Sequence, residues 1–205
     1  MPKRKHAGTS QARIYEAALL EFAEFGLAGA RVDRIAGRAG INKAMIYYHF
    51  GSKQELYDTV VKNIAEDASA RIGGAMKRAA KLEDALLAIA GYHSRGLAWG
   101  SQISRILLHE VASGGETLRR IIPGLAAKME LRSIITDMIE AGKREGRYRD
   151  VDTRHAMISF VGMSIFYLIM APMVNEVWGI SDKAGFRDER PEAIVDLFMN
   201  GLNTR

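Results

Sequence analysis

Residues 32–50 read VDRIAGRAGINKAMIYYHF, and their spacing decides how the first part of the chain folds. Val32, Ile35, Ala36 and Ala39 recur at helical intervals over two turns and stop at Gly40. Asn42 is a good N-cap for a second short helix from Lys43 to about Phe50. Ala36, Gly40 and Ile46 stand four and six residues apart. That spacing puts a small residue where two helices come closest, a glycine in the left-handed turn and an apolar residue in the core. Ile35, Ile41 and Phe50 complete the apolar cluster, which leaves Lys43, Met45, Tyr47, Tyr48 and His49 at or near the outward surface of the second helix. An ordinary pair of packed helices has the same spacing, so the spacing alone leaves both readings open.

The flanks extend the helical pattern. Ile14, Ala18, Phe22 and Phe25 line one face of a helix from Ser10 to Phe25, with Gly26 as its stop. Ser52 and Glu55 form a capping box for a long helix running toward Lys77. Further helices are expected near Glu83–Trp99, Gln102–Ala112, Glu116–Glu145 (broken at Pro123-Gly124), Thr153–Trp178 and Pro191–Leu202, with a loop over Gly179–Arg190. The predicted fold is all-α. A three-helix head over residues 1–52 precedes a helical body over 53–205.

Charge and composition narrow the function classes. Residues 1–53 hold nine Lys/Arg against four Asp/Glu, which accounts for the whole net charge of +5. A basic head on a neutral body points to a polyanion, either nucleic acid or an anionic membrane. Cysteine is absent, which excludes disulfides, thiolate zinc sites and cysteine nucleophiles. His93, His109 and His155 have no metal-ligand spacing, and there is no glycine-rich phosphate loop or G-x-S-x-G elbow. No cofactor, no metal and no enzymatic activity are expected. Met1-Pro2-Lys3-Arg4-Lys5-His6 reads as a basic arm with no secretory h-region after it, consistent with a cytoplasmic protein. Ala156 to Val174 carries no formal charge over nineteen residues and imitates a membrane span. Ser159, Ser164 and Pro172 favour instead a helix buried in the protein or in an oligomer.

Ile35-Ala36, Ala39-Gly40-Ile41, Ile46-Tyr47-Tyr48-His49-Phe50 and Ser52-Lys53-Gln54-Glu55-Leu56 resemble the DNA-binding head of the tetracycline-repressor (TetR) family. Phe22-Ala23-Glu24-Phe25-Gly26 resembles the end of that family's first helix. The resemblance implies that Asn42 caps the recognition helix, that Lys43, Ala44 and Met45 face bases, and that Tyr47, Tyr48, His49 and Lys53 contact the sugar-phosphate backbone. Two positions depart from the family pattern. Arg31 stands where threonine is commoner and would reach phosphate with its own donors. Met45 replaces a small hydroxyl residue and offers apolar contact.

The resemblance further implies a homodimer through the helices near 153–178 and 191–202, bound to palindromic double-stranded DNA. It also implies a small, largely apolar effector held in the body. Tyr92, Trp99, Met129, Met138, Phe160, Met163 and Tyr167 are the residues to watch for that pocket, each of which could instead be core. Two other readings stay open: a constitutive DNA-binding dimer without ligand control, and a membrane-associated helical protein using Lys3, Arg4 and Lys5.

Overall fold

The computed structural model describes residues 9–97, 100–128 and 130–204. The basic arm, Trp99 and Met129 lie outside the described residues. Among the described residues ten α-helices follow one another: α1 Ser10–Gly29, α2 Val32–Ala39, α3 Lys43–Phe50, α4 Lys53–Met76, α5 Leu82–Gly91, α6 Gln102–Ala112, α7 Glu116–Lys128, α8 Leu131–Arg144, α9 Thr153–Val177 and α10 Lys183–Leu202. A π-helical turn, Tyr92–Gly96, follows α5. No strand occurs among the described residues, so the all-α expectation holds.

The chain forms two compact units. The first comprises residues 9–65 and 100–122, the second 66–97 together with the described residues from 123 onward. The first therefore reaches past residue 52 into α4 and takes in α6 and the start of α7. Its core gathers Ile14, Ala18 and Phe22 of α1, Ile35, Ile46, Leu56 and Val60, with Ile106 from α6, all fully buried. Phe22 meets Tyr57 edge to face at 5.0 Å between centroids. The buried Glu110 accepts from the Tyr57 hydroxyl (3.0 Å) and from the amides of Thr117 (2.6 Å) and Leu118 (3.1 Å). One carboxylate thus ties α4 to α6 and caps α7. Burial, together with donation to Glu110, pushes the Tyr57 phenol up.

The second unit packs α5, α8, α9 and α10 around Leu86, Ile89, Ile139, Phe160, Ile194 and Leu202. Phe160 meets Phe198 edge to face at 5.2 Å.

Three boundaries differ from expectation. Gly26 does break the first helix, with φ 62° and ψ −176°, but one more turn follows to Gly29. Helix α7 runs through Pro123 to Lys128, and the break falls later, where Glu130 is left-handed at φ 53°. The amide that Pro123 lacks would serve the carbonyl of Arg119. Both residues are exposed, so water can take that carbonyl instead. The expected loop at Gly179–Arg190 is mostly helix. Asp182 accepts from the Gly185 amide at 2.9 Å and starts α10 eight residues before Pro191.

Gly26 occupies a backbone region essentially reserved for glycine, and a Cβ there would lie 3.1 Å from the His109 ring of α6. Gly26→Ala is expected to destabilise the first unit by about 1–3 kcal/mol, read as a lower denaturation midpoint. Gly37→Ala meets no atom within 4 Å in the helical α2, so it should leave that midpoint unchanged or raise it.

Candidate nucleic-acid interface and body cavity

Helix α2 is only eight residues long and has no side-chain cap of its own. Helix α1 supplies both ends. The fully buried Glu21 accepts from the Arg31 amide at 3.0 Å, which satisfies one of the unpaired amides at the start of α2, and pairs with Arg34 Nε at 2.6 Å. At the other end, Arg13 donates to the carbonyl oxygens of Ala39 (2.9 Å from Nε) and Gly40 (2.7 Å), where a cation suits the helix dipole. Gly40 is left-handed (φ 62°, ψ 42°), and the Ile41 amide returns to the Ala36 carbonyl at 3.1 Å. Asn42 then caps α3 by accepting from the Ala44 amide at 2.9 Å.

That scaffold displays Arg31, Asn42, Lys43, Ala44, Tyr47 and Tyr48 to solvent, with Tyr48 81% exposed. Lys43 Nζ lies 2.9 Å from Asp33, and the hydrogen bond raises the pKa of the ammonium. Met45 is half-buried. His49 is also half-buried, its ring edge-on to Tyr48 and its Nε2 enclosed without a hydrogen-bond partner, so it is less outward than its spacing suggested. Lys53 differs most from expectation. Its Nζ donates to the carbonyls of Leu27 (2.8 Å) and Ala30 (3.2 Å), closing the end of α1. Arg13, Glu21 and Asp33 were not foreseen. A glutamate inside the apolar face of the first helix was the available signal for Glu21.

In the second unit, a cavity of about 190 Å³ opens between the π-turn, α9 and α10. His93, Ser164, Tyr167, Asn175, Arg187 and Arg190 are among the residues lining it. Of the expected pocket residues, Tyr167 lines this cavity, its hydroxyl donating to Asn175 Oδ1 at 2.9 Å. Phe160 is wholly in the core, and Met138 packs against that core. Tyr92 opens the π-turn, and Met163 borders a shallow groove of about 500 Å³ between α9 and α10. The lining is more polar and more basic than the sequence suggested. His93 and Arg190 were missed because neither shows a motif in the sequence. Among the described residues no group of three or more His, Asp or Glu could hold a metal ion.

Burial lowers the His93 pKa to about 4, and its Nδ1 has no partner. Burial lowers that of Arg190 as well. An unfolded His93 would titrate near its ordinary 6.5. Between these values the unfolded chain takes up a proton that the folded chain refuses, so stability is full above pH 6.5 and falls as pH drops toward 4. The expected loss over that window is about 3 kcal/mol. Denaturation across the window should show this loss, and His93→Gln should remove it from the profile.

Residues 14–60 match the family model for bacterial regulatory proteins, tetR family. Over 53 residues, 26% of this chain and 28% of the relative, the sequence is 53% identical to the HTH-type transcriptional repressor SCO4008 of Streptomyces coelicolor. Over 99% of this chain and 95% of the relative it is 29% identical to the HTH-type transcriptional regulator RutR of Escherichia coli O157:H7. The fold is shared with the fatty acid degradation regulator FadR from Bacillus halodurans, with a TM-score of 0.69 at 22% identity over 94% of this chain and 100% of that one. Residues 14–60 therefore carry the region that defines bacterial regulatory proteins of the tetR family, and over nearly its whole length the chain is similar to an HTH-type transcriptional regulator.

Proposed function

We propose that the protein is a cytoplasmic homodimeric repressor that grips a palindromic operator through two copies of α3 and lets go when a small molecule enters the body. The observation that carries the dimer is the outer face of α9. Ile158, Phe166, Ile169, Met173 and Val177 are all exposed there, at 41 to 78%. Leu197 of α10 is 65% exposed. Monomeric soluble proteins rarely expose so extended an apolar surface without a partner. A two-fold partner presenting the same face would cover it, and two-fold symmetry in the protein matches a palindrome in DNA.

On this reading, α9 has one face in its own core, through Phe160, Ser164, Ala171 and Asn175, and the other against its copy. That accounts for an 18-residue window with mean hydropathy 2.0 of which only 17% is buried within one chain. It competes with a membrane span. The buried Asn175, hydrogen-bonded to Tyr167, favours the body helix. Residues 1–52 would read DNA: Lys43 and Ala44, with Met45 beside them, at bases, and Arg31, Tyr47 and Tyr48 at phosphates. Residues 53–205 would carry effector binding and dimerisation. The cavity favours ligand control over a constitutive dimer, because two of its polar side chains hold nitrogens with no partner.

Phe166→Asp tests the seam. Phe166 is 58% exposed in the single chain, so the variant should still fold. It should sediment as a monomer and bind operator DNA at least about a hundredfold more weakly, since one head no longer raises the local concentration of the other. A folded Phe166→Asp dimer with undiminished DNA binding would sink the assignment.

The head has its own test. Arg31→Ala and Tyr48→Ala should leave the denaturation midpoint in place and weaken binding to all duplexes. Arg31→Ala should also flatten the salt dependence by about one phosphate contact per head. Met45→Ala should change base preference instead. Lys53→Ala should lower the midpoint, because two carbonyls lose their donor.

A further inference from the structure

The cavity between the π-turn, α9 and α10 has an uneven charge. Lys183, Arg187 and Arg190 line it, and no carboxylate does. Arg187 is answered by Asp188 at 3.2 Å, and Lys183 is exposed. Arg190 has no acidic partner among the ion pairs of the described residues. Its terminal nitrogen makes one long bond to the Met163 carbonyl at 3.4 Å, its guanidinium lies 5.9 Å from the Phe186 ring, and its Nε is buried with nothing to donate to. His93, which also lines the cavity, holds a second buried nitrogen, Nδ1, with no partner. Native interiors rarely leave such groups orphaned, and two in one cavity point to a ligand.

We infer that this cavity is a recognition site for a small organic carboxylate, with Arg190 as its clamp. The inference rests on the effector reading above and names the chemistry of that effector. A guanidinium offers a planar fork that matches the two oxygens of a carboxylate. One enclosed cation without a counter-charge calls for one negative charge. Leu168 and Ala171 give an apolar body something to lie against, while the Nδ1 of a neutral His93 can serve as donor or acceptor according to its tautomer. The π-turn is what brings His93 and Ser94 to this wall, and irregular helical turns of this kind recur at functional sites. The largely apolar effector expected from the sequence is thereby given a charged end, as an amphipathic acid.

A carboxylate tethered inside the cavity tests this without knowing the ligand. Leu168→Glu and Leu168→Gln should be compared in the full-length dimer at neutral pH. The Glu variant should melt about 3 °C or more above the Gln variant, and the gap should vanish when Arg190→Gln is added. A Glu variant melting level with the Gln variant, or below it, overturns the inference. If neither variant folds, benzoate and benzamide at equal concentration decide it on the unmodified protein. Benzoate alone should raise the melting temperature, and Arg190→Gln should abolish the shift; equal shifts or none overturn it. Operator affinity separates the two readings. An anion-stabilised Leu168→Glu that grips DNA as tightly as Leu168→Gln keeps the carboxylate site and removes its effector role. Release of DNA by a neutral ligand, with no advantage for Leu168→Glu, does the reverse.

Discussion

The head hangs on two charged side chains of α1 that hold α2 by its ends. An eight-residue helix spans about 12 Å and is well below the length at which a helix persists alone in water. Helix α2 begins on an arginine that cannot cap it and ends on a left-handed glycine, so its orphan amides and carbonyls need partners from elsewhere. Glu21 serves the first end and Arg13 the second. The same Glu21 carboxylate also lies 3.7 Å from Arg38 Nε, so both basic residues on the inner side of α2 are tied down through it. Once α2 is fixed, the turn at Gly40 and the Asn42 cap set where α3 emerges. The exposure of Asn42, Lys43, Ala44, Tyr47 and Tyr48 is thus a consequence of a buried glutamate in a different helix.

Local rules carried the sequence reading as far as local rules apply. The boundaries of α2 and α3, the turn at Gly40 and the Asn42 cap all follow from spacing and from what glycine and asparagine do best. Side-chain commitments over longer distances were not legible. Lys53 looks like a phosphate donor in sequence because it opens a helix. Only the fold shows the Leu27 and Ala30 carbonyls within its reach. Pro123 and the polar run before Pro191 were read as breaks because each discourages a helix locally. An exposed carbonyl that water can serve and a well-placed Asp182 cap outweigh that bias. The body cavity was hidden for another reason. Aromatic and methionine residues announce apolar surface, but a half-buried arginine without a counter-ion looks in sequence like any solvated arginine.

The hydrophobicity of α9 illustrates how one composition supports two physical readings. A bilayer demands an apolar surface on every side, whereas a seam helix needs apolar surface only where protein covers it. Helix α9 places Ser164 and Asn175, both with hydrogen-bond partners, beside Phe160 on the side facing its own body, and leaves Ile158, Phe166, Ile169, Met173 and Val177 exposed on the opposite side. That division of labour is the one the proposed dimer seam requires. It also explains why the helix can be nearly as hydrophobic as a membrane span in a regulator that works on DNA.

Helices α9 and α10 each carry both functions proposed for the body. Tyr167 and Asn175 of α9 and Arg190 of α10 face the cavity, while Phe166 and Met173 of α9 and Leu197 of α10 face outward. Residues 166 and 167 are neighbours, so a change in how the cavity wall packs is a change in how the seam packs. A ligand moves such a system only through its different affinity for the two packings, and by the same reciprocity DNA must alter the ligand's affinity by an equal factor. An unanswered guanidinium makes that difference large in principle. The packing in which Arg190 can close on an anion gains a charge-assisted contact, and the packing in which it cannot leaves the donor buried and unmet. The switch would therefore draw its energy from the same kind of interaction that holds the head together: a charged side chain completing a set of hydrogen bonds that the local backbone leaves unfinished.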